Sequence, residues 1–370
     1  MSTDVKGFAE LVTEVQEKGI CGKCGGCLAF CSAGEFNALR AGEDGTPVLV
    51  DESKCLHCGI CYMICPQIKV LDQELREKAG WKPPIGPCRK LVSARARSRK
   101  IRRVATDGGV VTALLTHALE THVIQAAIVS RRVGPLSREP MVATTPEELI
   151  QAAGSHFDES QHLHKVGESY TTFSPSVREV KSLGKRDLHR IALVGTPCQI
   201  FTMKKMRLLN VLPADSIVLT IGLFCMENFS FGAKTRRALE RKLTVKLGQI
   251  QKLNIKDDVI VTTAKKETLH IPFDVMDEFA RPACFACTDF SNEYADISCG
   301  GVGSPDGYTT TILRTTAGES LYNRAKHDGA IEELRFRSRD ERRNATTGMM
   351  AKIVAASRRK QVRAVERMGA

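Results

Sequence analysis

The chain has 370 residues, 42% of them hydrophobic and 26% charged, with a net charge of +12. That length can bury a sizeable core, and no apolar run approaches the about twenty residues of a membrane span. The N-terminal MSTDVKGFAELVTEV carries acidic residues and no long apolar stretch, so no secretory signal is expected and the chain reads as cytoplasmic. Fourteen cysteines in a compartment that keeps thiols reduced point to metal or redox chemistry rather than disulfides.

Residues 1–80 hold eight of these cysteines. Cys21, Cys24, Cys27 and Cys31 have C-x2-C-x2-C-x3-C spacing, and Cys55, Cys58, Cys61 and Cys65 repeat it, followed by Pro66. A [4Fe–4S] cubane needs four converging thiolates. Three closely spaced cysteines wrap one side, and in two-cluster ferredoxins the fourth ligand comes from the other motif. The expected sets are therefore Cys21, Cys24, Cys27 and Cys65 for one cluster, and Cys55, Cys58, Cys61 and Cys31 for the other. Gly22, Gly25, Gly26 and Gly59 let backbone approach sulfur closely. Zinc is the rival for such cysteines, but its sites take four ligands as two pairs. Ser32 stands where the first motif would end in proline, which alters a turn rather than a ligand. This module reads as a ferredoxin-like α+β domain ending in the polar helix VLDQELREKAG.

The segment 81–87, WKPPIGP, reads as a rigid linker because its prolines favour extended backbone. From 88 to 330, apolar runs alternate with helical patterns. HVIQAAIVS, HRIALVG and SIVLTIGLFC predict buried strands, and GGVVTALLTHALE, TPEELIQAA and FGAKTRRALERKL predict helices, which together give an α/β domain. Residues 331–370 read as a basic helical tail with eleven Lys/Arg against five Asp/Glu. A second cluster, residues 89–103, has eight basic residues and no acidic one. Such patches suit acidic proteins, polyanionic small molecules or an anionic membrane surface. Aromatic residues are sparse and no nucleic-acid motif is visible, so no nucleic-acid partner is expected.

Six cysteines remain. Cys198 and Cys225 follow predicted strands, and Cys284 and Cys287 form a C-x-x-C; by spacing alone these four either converge on a further cubane or are buried thiols. Asp107-Gly108-Gly109 opens an apolar helix whose free N–H groups suit a pyrophosphate, and Gly300–Gly307 is a second glycine-rich stretch; each by itself is also an ordinary turn. Neither is the Rossmann pattern G-x-G-x-x-G.

TDGGVVTALLTHALE (106–120), VGTPCQ (194–199), IGLFC (221–225), CFACTDF (284–290) and ADISCGGVGSPDGYTTTILRT (295–315) together resemble the coenzyme F420 hydrogenase/dehydrogenase beta-subunit family. The resemblance spans roughly residues 1–320 and implies that the α/β domain binds FAD and a third [4Fe–4S] cluster. It implies Cys198, Cys225, Cys284 and Cys287 as the cluster ligands. Its flavin contacts fall on Asp107, Gly108, Gly109, Val110, Thr112, Ser155, Gly195, Thr196, Pro197, Gly303, Ser304, Asp306 and Gly307. Cys299 takes an aliphatic position of the family's motif and Cys88 no motif position, so neither is assigned. The histidines 156, 162 and 164 lack a further ligand and are read as surface residues.

Family members pass electrons between reduced deazaflavin and iron–sulfur partners. The added ferredoxin half resembles the electron-input component of the membrane-bound F420H2 dehydrogenase. The formate dehydrogenase beta subunit, a ferredoxin-dependent flavin reductase and a non-catalytic electron-transfer adaptor are the alternatives. The implied cofactors are FAD and three [4Fe–4S] clusters, with coenzyme F420 as substrate. The implied partners are other subunits of a larger redox complex, with association at the cytoplasmic face of the membrane through them. The basic run 89–103 is either a cationic entry for the coenzyme or a docking face. The cationic end of the tail, with Arg358, Arg359, Lys360 and Arg363, is either solvated or docks to something acidic.

Overall fold

The structure is a computed structural model that describes residues 5–134, 137–154, 169–171, 176–183, 186–246, 249–255 and 258–368. Short runs of small and branched apolar residues dictate its centre. Ile191–Gly195 is buried at every position, as a strand covered on both faces must be. Among the described residues, eight strands join in one mixed sheet: β1 (Lys90–Ala96), β2 (Ala126–Gly134), β3 (Ser137–Ala143), β4 (Ile191–Gly195), β5 (Ile217–Leu223), β6 (Ile297–Gly300), β7 (Thr309–Leu313) and β8 (Ile331–Glu333). Their order across the sheet is β8-β1-β7-β6-β5-β4-β2-β3. The β2, β4, β5 and β6 strands run parallel, and β3 on one side and β7 on the other are antiparallel to their neighbours.

Alternating side chains divide between two cores. Ala127 and Val129 pack under the helix α1 (Val110–Glu120), with Leu114 and Leu115, while Ala126 and Ile128 face the helix α2 (Pro197–Leu208), with Ile200, Met203 and Met206. Three of the runs predicted as strands become β2, β4 and β5, and all three predicted helices form. The fold is thus a mixed α/β sheet domain.

The N-terminal module is built into that domain. Its two cysteine motifs each turn through a glycine with positive φ, Gly25 (85°) and Gly59 (71°), before short helices Gly26–Ala33 and Ile60–Met63. Only glycine adopts that turn without strain. Ala29, in the first of these helices, and Ile64, just past the second, share a core with Ile200 and Met203 of α2. Contact is so close that a Cβ on Gly26 would stand 2.2 Å from Thr202 Cγ2.

The proline-rich segment is tied to the domain by hydrogen bonds. Arg314 donates to the carbonyls of Ile85 and Pro87, both at 2.7 Å, and Trp81 Nε1 donates to Glu293.

The basic tail also differs from expectation. Residues 331–333 are the edge strand β8, paired with β1, and Arg339–Met368 form one long helix, α3, packed on the domain. Met349 and Ile353 are buried beside Phe273 and Met276, and the Arg363 guanidinium is buried on Glu227 and Asp277. Lys360 and Arg363 are therefore spent inside the fold rather than offered to a partner, because carbonyls and carboxylates of the domain meet them there. Arg358 and Arg359 remain at the surface. Much of the basic run 89–103 is paired as well: Lys90 with Glu333 (2.9 Å) and Arg95 with Glu332 (2.6 Å). Among the described residues, no helix is long and apolar enough to cross a membrane.

Candidate functional site

Parallel strands leave a crevice beyond their C-terminal ends where loops diverge. Here a cavity of about 340 Å³ opens at the ends of β4 and β5, within the usual range of ligand pockets. The start of α1 forms one wall with Asp107, Gly109, Val110, Val111 and Thr112; Gly195 and Thr196 form another. Gly109 takes φ of 77° as the N-terminal cap of α1 and offers no side-chain acceptor, so the first N–H groups of the helix are not capped by it. Arg138 also lines the cavity, anchored by bonds to Ser130 Oγ (2.7 Å) and Gly154 O (2.7 Å).

Four sulfurs lie just behind this cavity. β4 and β5 are neighbours, so Cys198, at the start of α2, and Cys225, beyond β5, emerge side by side; the short helix Pro282–Phe285 brings Cys284 and Cys287. Burial pushes the Cys225 thiol up to about 12 against the lowering effect of Lys360, and raises Cys198 and Cys284, with neighbouring thiols adding in each case. Two cavity-lining residues touch the sulfurs. Thr196 Oγ1 is 3.3 Å from Cys198 Sγ. Asn228 Nδ2 donates to Cys225 Sγ, and its backbone N–H to Cys284 Sγ, both at 3.4 Å. Asn228 was not predicted from sequence; its position three residues after Cys225 was the only signal.

The eight cysteines of the N-terminal module line two small cavities. Cys31, Cys55, Cys58 and Cys61 line one cavity of about 30 Å³; Cys21, Cys24, Cys27 and Cys65, with Cys61, line another of about 30 Å³. Cys27 is raised well above the usual thiol range by burial and by Cys24, Cys65 and Cys21 around it. Buried thiols crowded in this way need cationic partners to ionise, which is the donor chemistry of an iron–sulfur site. Among the described residues, no three His, Cys, Asp or Glu side chains are grouped as for a single metal ion.

The first motif abuts α2. Cys24 Sγ is 3.7 Å from Thr202 Oγ1, and Arg281 donates to Gly22 O at 2.8 Å. The Cys24 thiol also raises Cys198, together with Cys287 and Cys225. Cys24 thus neighbours the Cys198 set, and Cys61 lines both of the small cavities.

Residues 91–166 match the N-terminal part, and residues 188–338 the C-terminal part, of the family described as coenzyme F420 hydrogenase/dehydrogenase, beta subunit. The beta subunit of coenzyme F420 hydrogenase from Methanothermobacter thermautotrophicus is 32% identical over 256 residues, 67% of this chain and 85% of that one.

This chain belongs to that family.

Residues 47–71 further match a 4Fe-4S binding domain, which covers the second cysteine motif. A component of the F(420)H(2) dehydrogenase of Methanosarcina mazei is 26% identical over 331 residues, 87% of each chain. A chain in the xenon-derivatised structure of the F420-reducing [NiFe] hydrogenase complex from Methanosarcina barkeri is similar with a TM-score of 0.62 at 28% identity, covering 75% of this chain and 93% of that chain. The protein is thus an F420-linked oxidoreductase family member with an iron–sulfur domain.

The family motifs divide in three dimensions. Asp107, Gly109, Val110, Thr112, Gly195 and Thr196 line the cavity, and Pro197 is buried as the first residue of α2. Gly108 does not line it. Its N–H is bonded to Thr309 Oγ1 at 2.9 Å, and a Cβ there would stand 2.6 Å from Ala94 O, so this glycine serves packing against β1. Gly303 and Ser304 lie away from the cavity against Met349 of α3, with Ser304 Oγ 2.7 Å from Thr310 Oγ1. Asp306 and Gly307 follow in the same turn, also outside the lining; Gly300 is the residue of this stretch that reaches it. Ser155 and the three neighbouring histidines lie outside the described residues. Cys299 is buried at the cavity wall, and Cys88 is exposed.

Proposed function

We propose that this chain oxidises reduced coenzyme F420 at FAD bound in the strand-end cavity. Single electrons then leave through three [4Fe–4S] clusters to a partner redox complex, as an electron-input subunit of the F420H2 dehydrogenase type. One observation carries the reading: Thr196 and Asn228 belong at once to the cavity wall and to the surroundings of the Cys198, Cys225, Cys284 and Cys287 sulfurs. A flavin bound there would supply the conversion between a two-electron hydride and single electrons, and the clusters would supply one-electron steps.

The chain's own residues bind and orient. The start of α1 at Val110, Val111 and Thr112, without a side-chain cap from Gly109, suits a pyrophosphate. The N–H groups of Asn228 orient Cys225 and Cys284 and favour their thiolate forms. Cys198, Cys225, Cys284 and Cys287 would hold the cluster beside the flavin. Cys21, Cys24, Cys27 and Cys65 would hold the next, and Cys31, Cys55, Cys58 and Cys61 the third, where Cys58 is exposed. The match to a dehydrogenase component over 87% of this chain supports the input role, since a match of that length must reach into the ferredoxin-like module.

The test is an anaerobic titration of the flavin- and iron-reconstituted protein with reduced F420. Bleaching of the flavin band, followed by cluster reduction, is expected. A protein that binds flavin but leaves it oxidised under excess reduced F420 refutes the assignment.

A further inference from the structure

The family match ends at residue 338, yet the helix α3 beyond it brings a buried cation to the cysteines behind the cavity. Lys360 is only 1% exposed. Its Nζ donates to Cys225 O at 2.6 Å and to Asp289 O at 2.8 Å, so it is clamped between a sulfur-bearing residue and the chain just past Cys287. The thiols of Cys287, Cys225 and Cys284 and the carboxylates of Asp289 and Glu227 all act on its charge. The Asp289 carboxylate is turned instead to the backbone N–H groups of Asn292 (2.7 Å) and Glu293 (2.9 Å).

A second buried lysine gives the contrast. Lys205 also donates to a ligand carbonyl, Cys65 O at 3.1 Å, but the Asp72 carboxylate sits 2.9 Å from it and offsets its charge. Both lysines donate to a ligand carbonyl; among the described residues, Lys205 has a carboxylate at ion-pair distance and Lys360 has none.

Adding an electron to a cluster held by four thiolates adds negative charge in a poorly solvated place, and a fixed cation nearby favours that state. We propose that Lys360 is a positioning residue for electrons: it selectively raises the midpoint potential of the cluster held by Cys198, Cys225, Cys284 and Cys287. That cluster thereby becomes the favoured acceptor beside the cavity, and α3 becomes part of the redox site. The inference rests on the reading that these four cysteines hold a [4Fe–4S] cluster.

The experiment is an anaerobic potentiometric titration of the full reconstituted chain, followed by electron paramagnetic resonance, with iron content measured alongside. Lys360→Met removes charge and hydrogen bonds, Lys360→Gln keeps a donor without charge, and Lys360→Arg keeps the charge. In both neutral variants one cluster's reduction constant should fall by about tenfold, a shift of about 59 mV to lower potential for one electron. The other two midpoints should not move, and Lys360→Arg should stay near the wild type. Unchanged midpoints in a neutral variant with full iron overturn the proposal, as does a shift shared by Lys360→Arg. Loss of about four irons in both neutral variants would assign Lys360 to cluster assembly and also overturn it. A wild-type chain with only about eight irons refutes the underlying cluster reading, and the proposal falls with it.

Discussion

Replacing Asn292 by glycine tests whether the two strand ends are held in register for Cys198 and Cys225. Asn292 is fully buried, and its Nδ2 donates to Gly195 O (2.9 Å) at the end of β4 and to Leu223 O (3.2 Å) at the end of β5. Cys198 lies three residues past the first carbonyl and Cys225 two past the second. Asn292 has φ of 61°, which glycine adopts freely, so Asn292→Gly removes the side chain without forcing the backbone. Each lost hydrogen bond is worth about 1 kcal/mol net, and leaving a buried partner unpaired adds about 1–3 kcal/mol, so a loss of about 3 kcal/mol is expected. Asn292→Ala should cost about 1 kcal/mol more, because a Cβ disfavours positive φ.

Gly222→Ala reaches the same contact from the other side, since its Cβ would stand 2.2 Å from Asn292 Cγ and must displace it. Denaturant titration and iron analysis are the assays. All three variants should lose stability and also lose about four irons, while the ferredoxin clusters stay. An Asn292→Gly protein within about 1 kcal/mol of wild type, with its full iron content, would refute the idea that this side chain sets the cysteine spacing.

Cys284→Ser with Cys287→Ser should remove about four of about twelve irons and leave the ferredoxin signals intact; an unchanged iron content would sink the third-cluster assignment. Ala153→Trp puts an indole into the cavity that Ala153 lines, so flavin content should fall by at least about tenfold with iron unchanged, as read by absorbance. Ile353→Ala removes a fully buried side chain of α3 from its contact with the domain and should cost about 3 kcal/mol in denaturant unfolding. Deleting residues 345–370 should for the same reason destabilise the domain, where a mere docking tail would leave its unfolding midpoint unchanged.

The sequence by itself determined the local features. Cysteine spacing predicts two crossed sets, because three close cysteines wrap only one side of a cluster, and Cys31 lies with the second motif while Cys65 lies with the first. Apolar runs such as HRIALVG read as buried strands and form them, whereas the positive-φ turns at Gly25 and Gly59 came from the structure. The family motifs pointed to Cys198, Cys225, Cys284 and Cys287, which fold together. Tertiary structure alone decided the fate of the charges. Lys90 and Arg95 read as part of an open basic patch, but Glu333 and Glu332 return some 240 residues later on the neighbouring strand to pair with them. Lys360 and Arg363 read as a cationic surface, but Cys225 O and Glu227 meet them inside the domain. Periodicity reports which face of an element is apolar; whether a charge on it is solvated or buried depends on the partner that long-range folding brings. Asn228 and Asn292 were hidden for the same reason, since each acts by joining strand ends or sulfurs that are distant in the chain or on other elements.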